Sequence, residues 1–191
     1  DVTGTGNYVG GLVGMSKGDI SDSYTSGNVT SNDGNVGGLV GEQTGSFISN
    51  CFALGEVAGL SRIGGLVGEL SGSGVIQKSY ASGLVSATEH FAGGLVGYSY
   101  GLITDSYATG NVLGVNYLGG LVGQAEASIY RSYAIGEVDG QNNIGGFVGG
   151  IFTEGPAVDV YSSYSTGAVV SSGGNVGGFA GLANMNQHNS G

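Results

Sequence analysis

The sequence predicts an all-β fold, a parallel β-solenoid (β-helix) of about six coils, each 26–32 residues long with three short strands. Three observations support this prediction. A glycine-rich pentapeptide recurs along the whole chain. A second block, with an aliphatic residue four positions before an aromatic one, recurs between the pentapeptides. Segments rich in Val, Ile and Tyr alternate with Gly, Asn and Ser, and no helical period is sustained.

The pentapeptide is Gly-Gly-Leu/Phe-Val/Ala-Gly, and it occurs seven times. Its first residues are Gly10, Gly37, Gly64, Gly93, Gly119, Gly145 and Gly177. Successive starts are 27, 27, 29, 26, 26 and 32 residues apart. A period of this length is typical of arrays whose units cannot bury a core alone, so neighbouring units must stack.

The second block ends on the same aromatic position in every coil, and a glycine and a valine follow it at fixed distances. Because the block tolerates no insertion, we expect it to form regular strands, with the turns in the two links of variable length. Side chains alternate along a strand, so Ser23 and Val29 should point inward, and Tyr24 and Asn28 outward. The glycine column, which begins at Gly27, should let successive coils approach closely.

Two columns are the candidate surface features. The first is an aromatic ladder for binding or packing, made of Tyr24, Phe52, Tyr80, Tyr107, Tyr133 and Tyr164. The second lies two residues earlier and contains a charge ladder that would penalise a slipped register, made of Asp22, Lys78, Asp105 and Arg131. Stacked aromatic rings could bind sugar rings or a neighbouring solenoid, and they could equally serve only to stabilise the coils.

Composition excludes several classes of partner. Fourteen acidic against four basic residues give a net charge of −10, which opposes binding to nucleic acid. No apolar run approaches the roughly 20 residues needed to span a bilayer, so no membrane insertion is expected. The 43 glycines recur at fixed repeat positions and therefore indicate geometry rather than low complexity.

Candidate chemistry is sparse, and we expect no catalytic site, no metal and no cofactor. Glu42 and Glu69 each follow a pentapeptide and should be neighbours on consecutive coils, a spacing compatible with paired carboxylates. Their column looks like an exposed corner, and no further acidic column accompanies it. His90, His188 and Cys51 lack metal-ligand spacing, and Cys51 replaces the serine of the other coils as a small core residue.

Two weaker possibilities concern the surface. A flat threonine rank for ice binding is disfavoured, because Thr25 does not share a column with Thr109 and Thr166. Asn28 begins the only N-glycosylation sequon, Asn28-Val29-Thr30. The longer link from Gly150 to Val158, with Pro156, is more simply a tolerated insertion than a recognition loop.

The unit Gly-Gly-Leu-Val-Gly, a short turn, Ile-x-x-Ser-Tyr and then Gly-x-Val resembles the GLUG repeat of large bacterial surface and secreted proteins. The resemblance covers nearly the whole chain. It implies a β-solenoid segment at a cell surface and no established catalytic residues. It implies no zinc peptidase activity either, because the zinc domain of some relatives is not in this sequence.

Residues 1–181 are expected to form the repeats, and residues 182–191 a polar tail or part of a next coil. The first functional hypothesis is a non-catalytic extracellular or cell-surface scaffold, an adhesin or stalk that binds a host or cell-surface glycan or protein. The alternative is an extracellular filament subunit whose partner is itself, stacked end to end or laterally through uncapped solenoid ends.

Overall fold

The computed structural model describes residues 1–153 and 157–184 of the chain, and their regular structure is all β-strand. Every strand pairs in parallel with its equivalent in the next coil, and the strands form five sheets that run along the solenoid. The predicted parallel β-solenoid of about six coils is therefore confirmed. No helix in this described part could cross a membrane.

We name the sheets A to E in the order in which the chain enters them. Sheet A comprises Val2–Gly4, Val29–Ser31, Val57–Gly59, Val85–Ala87, Val112–Leu113, Val138–Gly140 and Val169–Ser171. Sheet B comprises Val9–Gly10, Val36–Gly37, Ile63–Gly64, His90–Gly93, Asn116–Gly119, Asn142–Gly145 and Val176–Gly177. Sheet C comprises Val13–Ser16, Val40–Thr44, Val67–Ser71, Val96–Ser99, Val122–Ala125, Val148–Phe152 and Ala180–Asn184.

The two remaining sheets follow in each coil. Sheet D comprises Ile20–Ser21, Phe47–Ser49, Val75–Gln77, Leu102–Thr104, Ile129–Tyr130 and Val160–Tyr161. Sheet E comprises Tyr24–Thr25, Phe52–Ala53, Tyr80–Ala81, Tyr107–Ala108, Tyr133–Ala134 and Tyr164–Ser165. The three predicted segments map onto these sheets: the valine segment is sheet A, the pentapeptide spans sheets B and C, and the aliphatic-to-aromatic block spans D and E.

The core is divided into two columns. The larger one contains the Leu and Val of the pentapeptide, such as Leu66 and Val67, with the Ile of sheet D and the Ala of sheet E. The smaller one lies between sheets A and B and contains pairs such as Val57 and Ile63. Interior copies of these side chains are fully buried, which supplies the apolar burial that a single coil could not provide.

Backbones of successive coils touch at the glycine that follows the aromatic by three residues. A Cβ added at Gly110 would overlap the carbonyl oxygen of Gly83, and one added at Gly83 would overlap that of Gly55. The predicted close approach at this column is therefore confirmed. A second close approach lies at the second glycine of the pentapeptide, where a Cβ on Gly65 would collide with the carbonyl of Gly94 in the next coil and, across the interior, with Ala81 of sheet E.

Two corners that recur along the solenoid use left-handed backbone at residues that are not glycine. One corner separates sheets D and E and lies in the same column as the charge ladder, with φ values from 48° to 54°. Its members are Asp22, Asn50, Lys78, Asp105, Arg131 and Ser162. The other corner directly precedes the aliphatic-Gly pair of sheet B strands, and its φ values range from 52° to 61°. Its members are Asn35, Arg62, Phe91, Tyr117, Asn143 and Asn175.

The predicted alternation holds on both sides of the aromatic position. Val29 is 1% exposed, whereas Tyr24 is 62% exposed. Residues 182–184 of the predicted tail continue the last strand of sheet C. The rest of that tail, with His188, and residues 154–156 of the longer link, with Pro156, lie outside the described residues.

Candidate functional site

The aromatic ladder forms one uninterrupted stack on the outside of sheet E. Neighbouring ring centroids are 4.8–5.2 Å apart, and neighbouring ring planes differ by 1–12°. This spacing follows the separation of about 4.8 Å between hydrogen-bonded strands, so the backbone itself sets the stack. The two end rings, Tyr24 and Tyr164, are 62% and 52% exposed, and the inner four are half-buried by their neighbours.

Small inward residues beneath the stack hold it close to the opposite wall. Ala53, Ala81, Ala108 and Ala134 follow the inner aromatics and are at most 1% exposed. In the first coil the Thr25 hydroxyl donates to the carbonyl oxygen of Gly38 at 2.7 Å. Desolvation, with Tyr133 and Tyr80 on either side, raises the pKa of Tyr107, so this hydroxyl remains protonated at neutral pH. The ladder is therefore a regular aromatic surface backed by small buried side chains.

A serine column buried under the corner between sheets D and E links the coils. The Ser106 hydroxyl donates to the carbonyl of Thr104 at 2.8 Å and accepts from the backbone N–H of Ser79 at 3.1 Å. Cys51 occupies this column in its coil, is fully buried, and donates its thiol to the carbonyl of Ser49. Desolvation raises the pKa of the Cys51 thiol. These contacts agree with its interpretation as a small core residue.

The charge ladder forms one ion pair among the described residues. The Arg131 guanidinium donates to both carboxylate oxygens of Asp105, at 2.7 and 2.8 Å. Three coils earlier, the Asn50 amide donates to Asp22 at 3.2 Å. Lys78 is exposed, and its side chain forms no hydrogen bond or ion pair in the described part of the chain. Whether these contacts set the register remains a prediction.

Glu42 and Glu69 are paired on neighbouring strands of sheet C, as their spacing predicts. The expectation of an exposed corner is wrong, because both lie inside strands and are partly buried under neighbouring side chains. The Ser71 hydroxyl lies 3.0 Å from Glu42 and 3.1 Å from Glu69. Asn35 donates to Glu69 at 2.9 Å, and Arg62 lies 3.4 Å from the same oxygen.

The partners of Glu42 and Glu69 are neighbouring protein side chains, so the contacts of this pair are structural. Both oxygens of Glu69 are engaged by protein groups, and the Arg62 guanidinium offsets its charge. Residues 1–153 and 157–184 contain no group of three His, Cys, Asp or Glu side chains placed to hold a metal ion. Asn28, the sequon residue, is exposed, but its side-chain oxygen accepts the backbone N–H of Glu56 at 2.9 Å.

The columns chosen from sequence missed a second aromatic cluster, on the outer face of sheet C. We define the sheet C aromatic cluster as Phe91, Tyr98, Tyr100, Tyr117 and Phe152. Its members occupy repeat positions where other coils carry mostly polar residues, so no consensus column shows it. The signal in the sequence was the departure from the repeat: aromatic residues at variable positions in three consecutive coils.

The comparison with protein families agrees with the repeat described above. The family described as the GLUG motif matches residues 92–113, which run from sheet B through sheets C, D and E to sheet A of the next coil. A search of curated proteins and a search of solved structures each returned no match. Residues 92–113 thus match the GLUG motif and lie within a β-solenoid whose coils repeat the same pattern, which is consistent with a GLUG repeat protein.

Proposed function

We propose that the chain is a non-catalytic, extracellular or cell-surface repeat scaffold that adheres to a surface glycan or protein through its aromatic ladder. The observation that carries this proposal is the continuous stack of six rings on the outside of a rigid solenoid. A repeat solenoid is well suited to a structural scaffold, because its length and surface grow with each coil. The location is the one that the GLUG resemblance implies.

The geometry of the ladder favours a ligand that lies along the solenoid axis. Rings about one strand separation apart offer an amphipathic edge to each repeating unit of an extended partner. Tyr hydroxyls add donors and acceptors at that edge, while Phe52 shows that one position needs no hydroxyl to stack. Both oxygens of Glu69 and one oxygen of Glu42 contact protein groups, which supports a structural role for this pair.

The test is saturable binding of the purified chain to immobilised cell-surface glycans and proteins. We expect Tyr80→Ser combined with Tyr107→Ser to weaken binding by roughly tenfold or more, because two adjacent stacking contacts are lost. Tyr161→Ser is the matched control, since Tyr161 is 50% exposed and lies on sheet D outside the ladder. Binding that is unchanged in the double variant would remove the ladder from the proposal.

End-to-end assembly is the second candidate. Leu12 of the first pentapeptide is 49% exposed, whereas the equivalent Leu39 and Leu66 are fully buried by the coil stacked beside them. A further coil, of the same chain or of a second copy, would bury this face. Negative-stain microscopy over a concentration series should then show fibres, and Leu12→Asp should prevent them. Discrete rods at every concentration would contradict assembly.

A further inference from the structure

The sheet C aromatic cluster is a packed set of rings rather than a ladder. Phe91 stacks on Tyr117 of the next coil at 5.2 Å and meets Tyr98 edge to face at 5.2 Å. Tyr98 lies 4.8 Å from Tyr100, and Tyr117 lies 5.9 Å from Phe152. Tyr98 is 7% exposed and forms the floor, whereas Tyr100 is 44% exposed and the remaining rings are half-buried.

The fold itself does not require these rings. Tyr98 pairs in register with Glu69 on one side and with Gln124 on the other, so the same strand geometry accepts polar residues. Phe91 and Tyr117 have φ values of 61° and 55° at a corner where three other coils use Asn. Left-handed backbone is unfavourable for bulky residues and far less so for Asn. The aromatic choice therefore opposes local preference, which points to a role outside folding.

One glycine makes room for the cluster. Gly150 occupies the sheet C column that carries Tyr98 and Gln124 in the preceding coils. A Cβ at Gly150 would come within 2.7 Å of the Phe152 ring and 2.9 Å of the Tyr117 ring. The two rings therefore fold down over the strand at this point and extend the apolar surface into the next coil.

A hydrogen-bonded polar edge borders the rings. The Tyr98 hydroxyl donates to a carboxylate oxygen of Glu126, and Gln124 donates to both groups, at 2.8 and 3.1 Å. The Tyr100 hydroxyl lies 3.3 Å from that of Tyr98. Oε2 of Glu126 has no hydrogen-bond partner among the described residues, so it can accept from a ligand. The edge is fixed in place before any ligand arrives.

The charges around the cluster restrict the ligand. Arg62 lies 5.6 Å from the centre of the Tyr98 ring and is engaged by Glu69, so it is not a free anion-binding group. Glu126 and the net charge of −10 disfavour phosphate, sulfate and carboxylate ligands. Packed aromatic rings beside hydrogen-bond acceptors instead suit a neutral molecule that has apolar C–H faces and hydroxyl donors.

We propose that the sheet C aromatic cluster is a binding site for a neutral, pyranose-containing glycan. Phe91, Tyr100 and Phe152 provide the stacking surface, and Glu126 accepts hydrogen bonds from sugar hydroxyls. Tyr98 is a positioning residue that holds Glu126 and supports Tyr100. This site rests on the proposed adhesive function for its class of ligand, but it lies on a different sheet from the aromatic ladder and can be tested separately.

The test is isothermal titration calorimetry of the full chain with a panel of neutral hexasaccharides built from glucose, mannose, xylose, galactose or N-acetylglucosamine. We expect saturable binding of at least one hexasaccharide. Tyr100→Ser and Phe152→Ser should each weaken it about tenfold, which corresponds to about 1.4 kcal/mol. Tyr100→Phe should weaken it less, because the ring is retained. Tyr161→Ser is the exposed-tyrosine control, and urea unfolding confirms that each variant is folded.

Two charged probes and one further variant separate the alternatives. Binding of hexalysine alone would make the cluster a cationic-peptide site and overturn the proposal, as would binding of hexagalacturonate alone or of no neutral hexasaccharide. Binding that survives Tyr100→Ser and Phe152→Ser but is lost in the Tyr80→Ser, Tyr107→Ser double variant would overturn this site and leave the proposed function standing. The opposite pattern would support the site and remove the ladder from adhesion.

Discussion

The Arg131 guanidinium lies 2.7 Å from the carboxylate of Asp105 on the preceding coil, and both residues have left-handed backbone, with φ values of 48° and 51°. The contact is bidentate, since a second guanidinium nitrogen lies 2.8 Å from the other carboxylate oxygen. One corner position thus combines a backbone requirement with a coil-to-coil contact. Because Asp105 and Arg131 are replaced by Asn50 and Ser162 elsewhere in the column, the backbone requirement is the more general of the two.

The ion pair predicts a pH dependence of stability. The Arg131 hydrogen bonds lower the pKa of Asp105 to about 2 in the folded chain, below the ordinary value of 3.8. A lowered folded pKa stabilises the fold above the unfolded pKa, and that contribution is lost as the pH falls from about 4 towards 2. We expect Asp105→Asn to lower the urea midpoint near pH 6, and the difference from the unsubstituted chain to shrink towards pH 2.

The control for this prediction is Asp139→Asn, which removes an exposed carboxylate with no ion pair in the described part of the chain. It should show no comparable convergence with the unsubstituted chain. A constant difference between Asp105→Asn and the unsubstituted chain across this pH range would show that the Arg131 contact does not act through the ionised carboxylate.

The corner between sheets D and E predicts an unusual tolerance for glycine. Lys78 is exposed and has a φ of 49°, a conformation that costs a residue with a Cβ roughly 1 kcal/mol and a β-branched residue more. We expect Lys78→Gly to leave the free energy of unfolding unchanged or raise it slightly, and Lys78→Val to lower it by about 1–2 kcal/mol. Gln77→Val, on the adjoining strand, should be nearly neutral. Urea denaturation measures these free energies of unfolding. Equal losses of stability for Lys78→Val and Gln77→Val would contradict a left-handed backbone at Lys78.

The close approach of the coils predicts that the same substitution at one repeat position destabilises the fold in one coil and has almost no effect in another. Gly65 and Gly178 are both the second residue of a pentapeptide. A Cβ at Gly65 would collide with Gly94 and Ala81, whereas one at Gly178 would meet nothing within 4 Å. We expect Gly65→Ala to destabilise the fold by about 2–3 kcal/mol and Gly178→Ala to change it by less than about 0.5 kcal/mol. Similar urea midpoints for the two variants would refute this packing.

The buried serine column predicts that removing one of its hydroxyls destabilises the fold, whereas adding a hydroxyl at Cys51 does not. Ser106→Ala would leave the buried backbone N–H of Ser79 without its acceptor, and this should cost about 1–3 kcal/mol. Cys51→Ser places in one coil the hydroxyl that the other complete coils already have, so it should change stability by less than about 0.5 kcal/mol. A Ser106→Ala variant as stable as the unsubstituted chain would show that the column does not depend on hydroxyl hydrogen bonds, and a Cys51→Ser variant as unstable as Ser106→Ala would show that position 51 does not accept a serine.

The repeat columns allowed much of the fold to be predicted, because each column samples one structural position several times. The glycine, valine and aromatic columns are nearly uniform, so their close packing, burial and stacking follow from the period. The left-handed corner could not be predicted in the same way, since Asp22, Lys78 and Arg131 share no chemistry. What they share is a backbone conformation, which alternation along a strand does not specify.

The candidate functional surfaces also include one part that the sequence predicts and one part that it does not. The stack of Tyr80 on Tyr107 repeats in every coil and could be expected from the sequence, whereas the packing of Phe91 on Tyr98 depends on two residues from different columns. Their contact arises because the corner side chain folds over the outer face of sheet C. Comparing one column at a time cannot show such a contact. The same folding explains why Glu69 lies partly buried beneath Arg62 rather than at an exposed corner.

The most direct test of the adhesive scaffold is an NMR titration of the chain with carbon-13-labelled tyrosine rings, using the glycan or protein that the purified chain binds. Ring resonances assigned by single Tyr→Phe variants report which face the ligand touches. The account predicts that saturating ligand shifts the rings of Tyr80 and Tyr107, with those of Tyr98 and Tyr100 added for a neutral glycan, and leaves Tyr161 unchanged. Saturable binding with no change at Tyr80 or Tyr107 would contradict it.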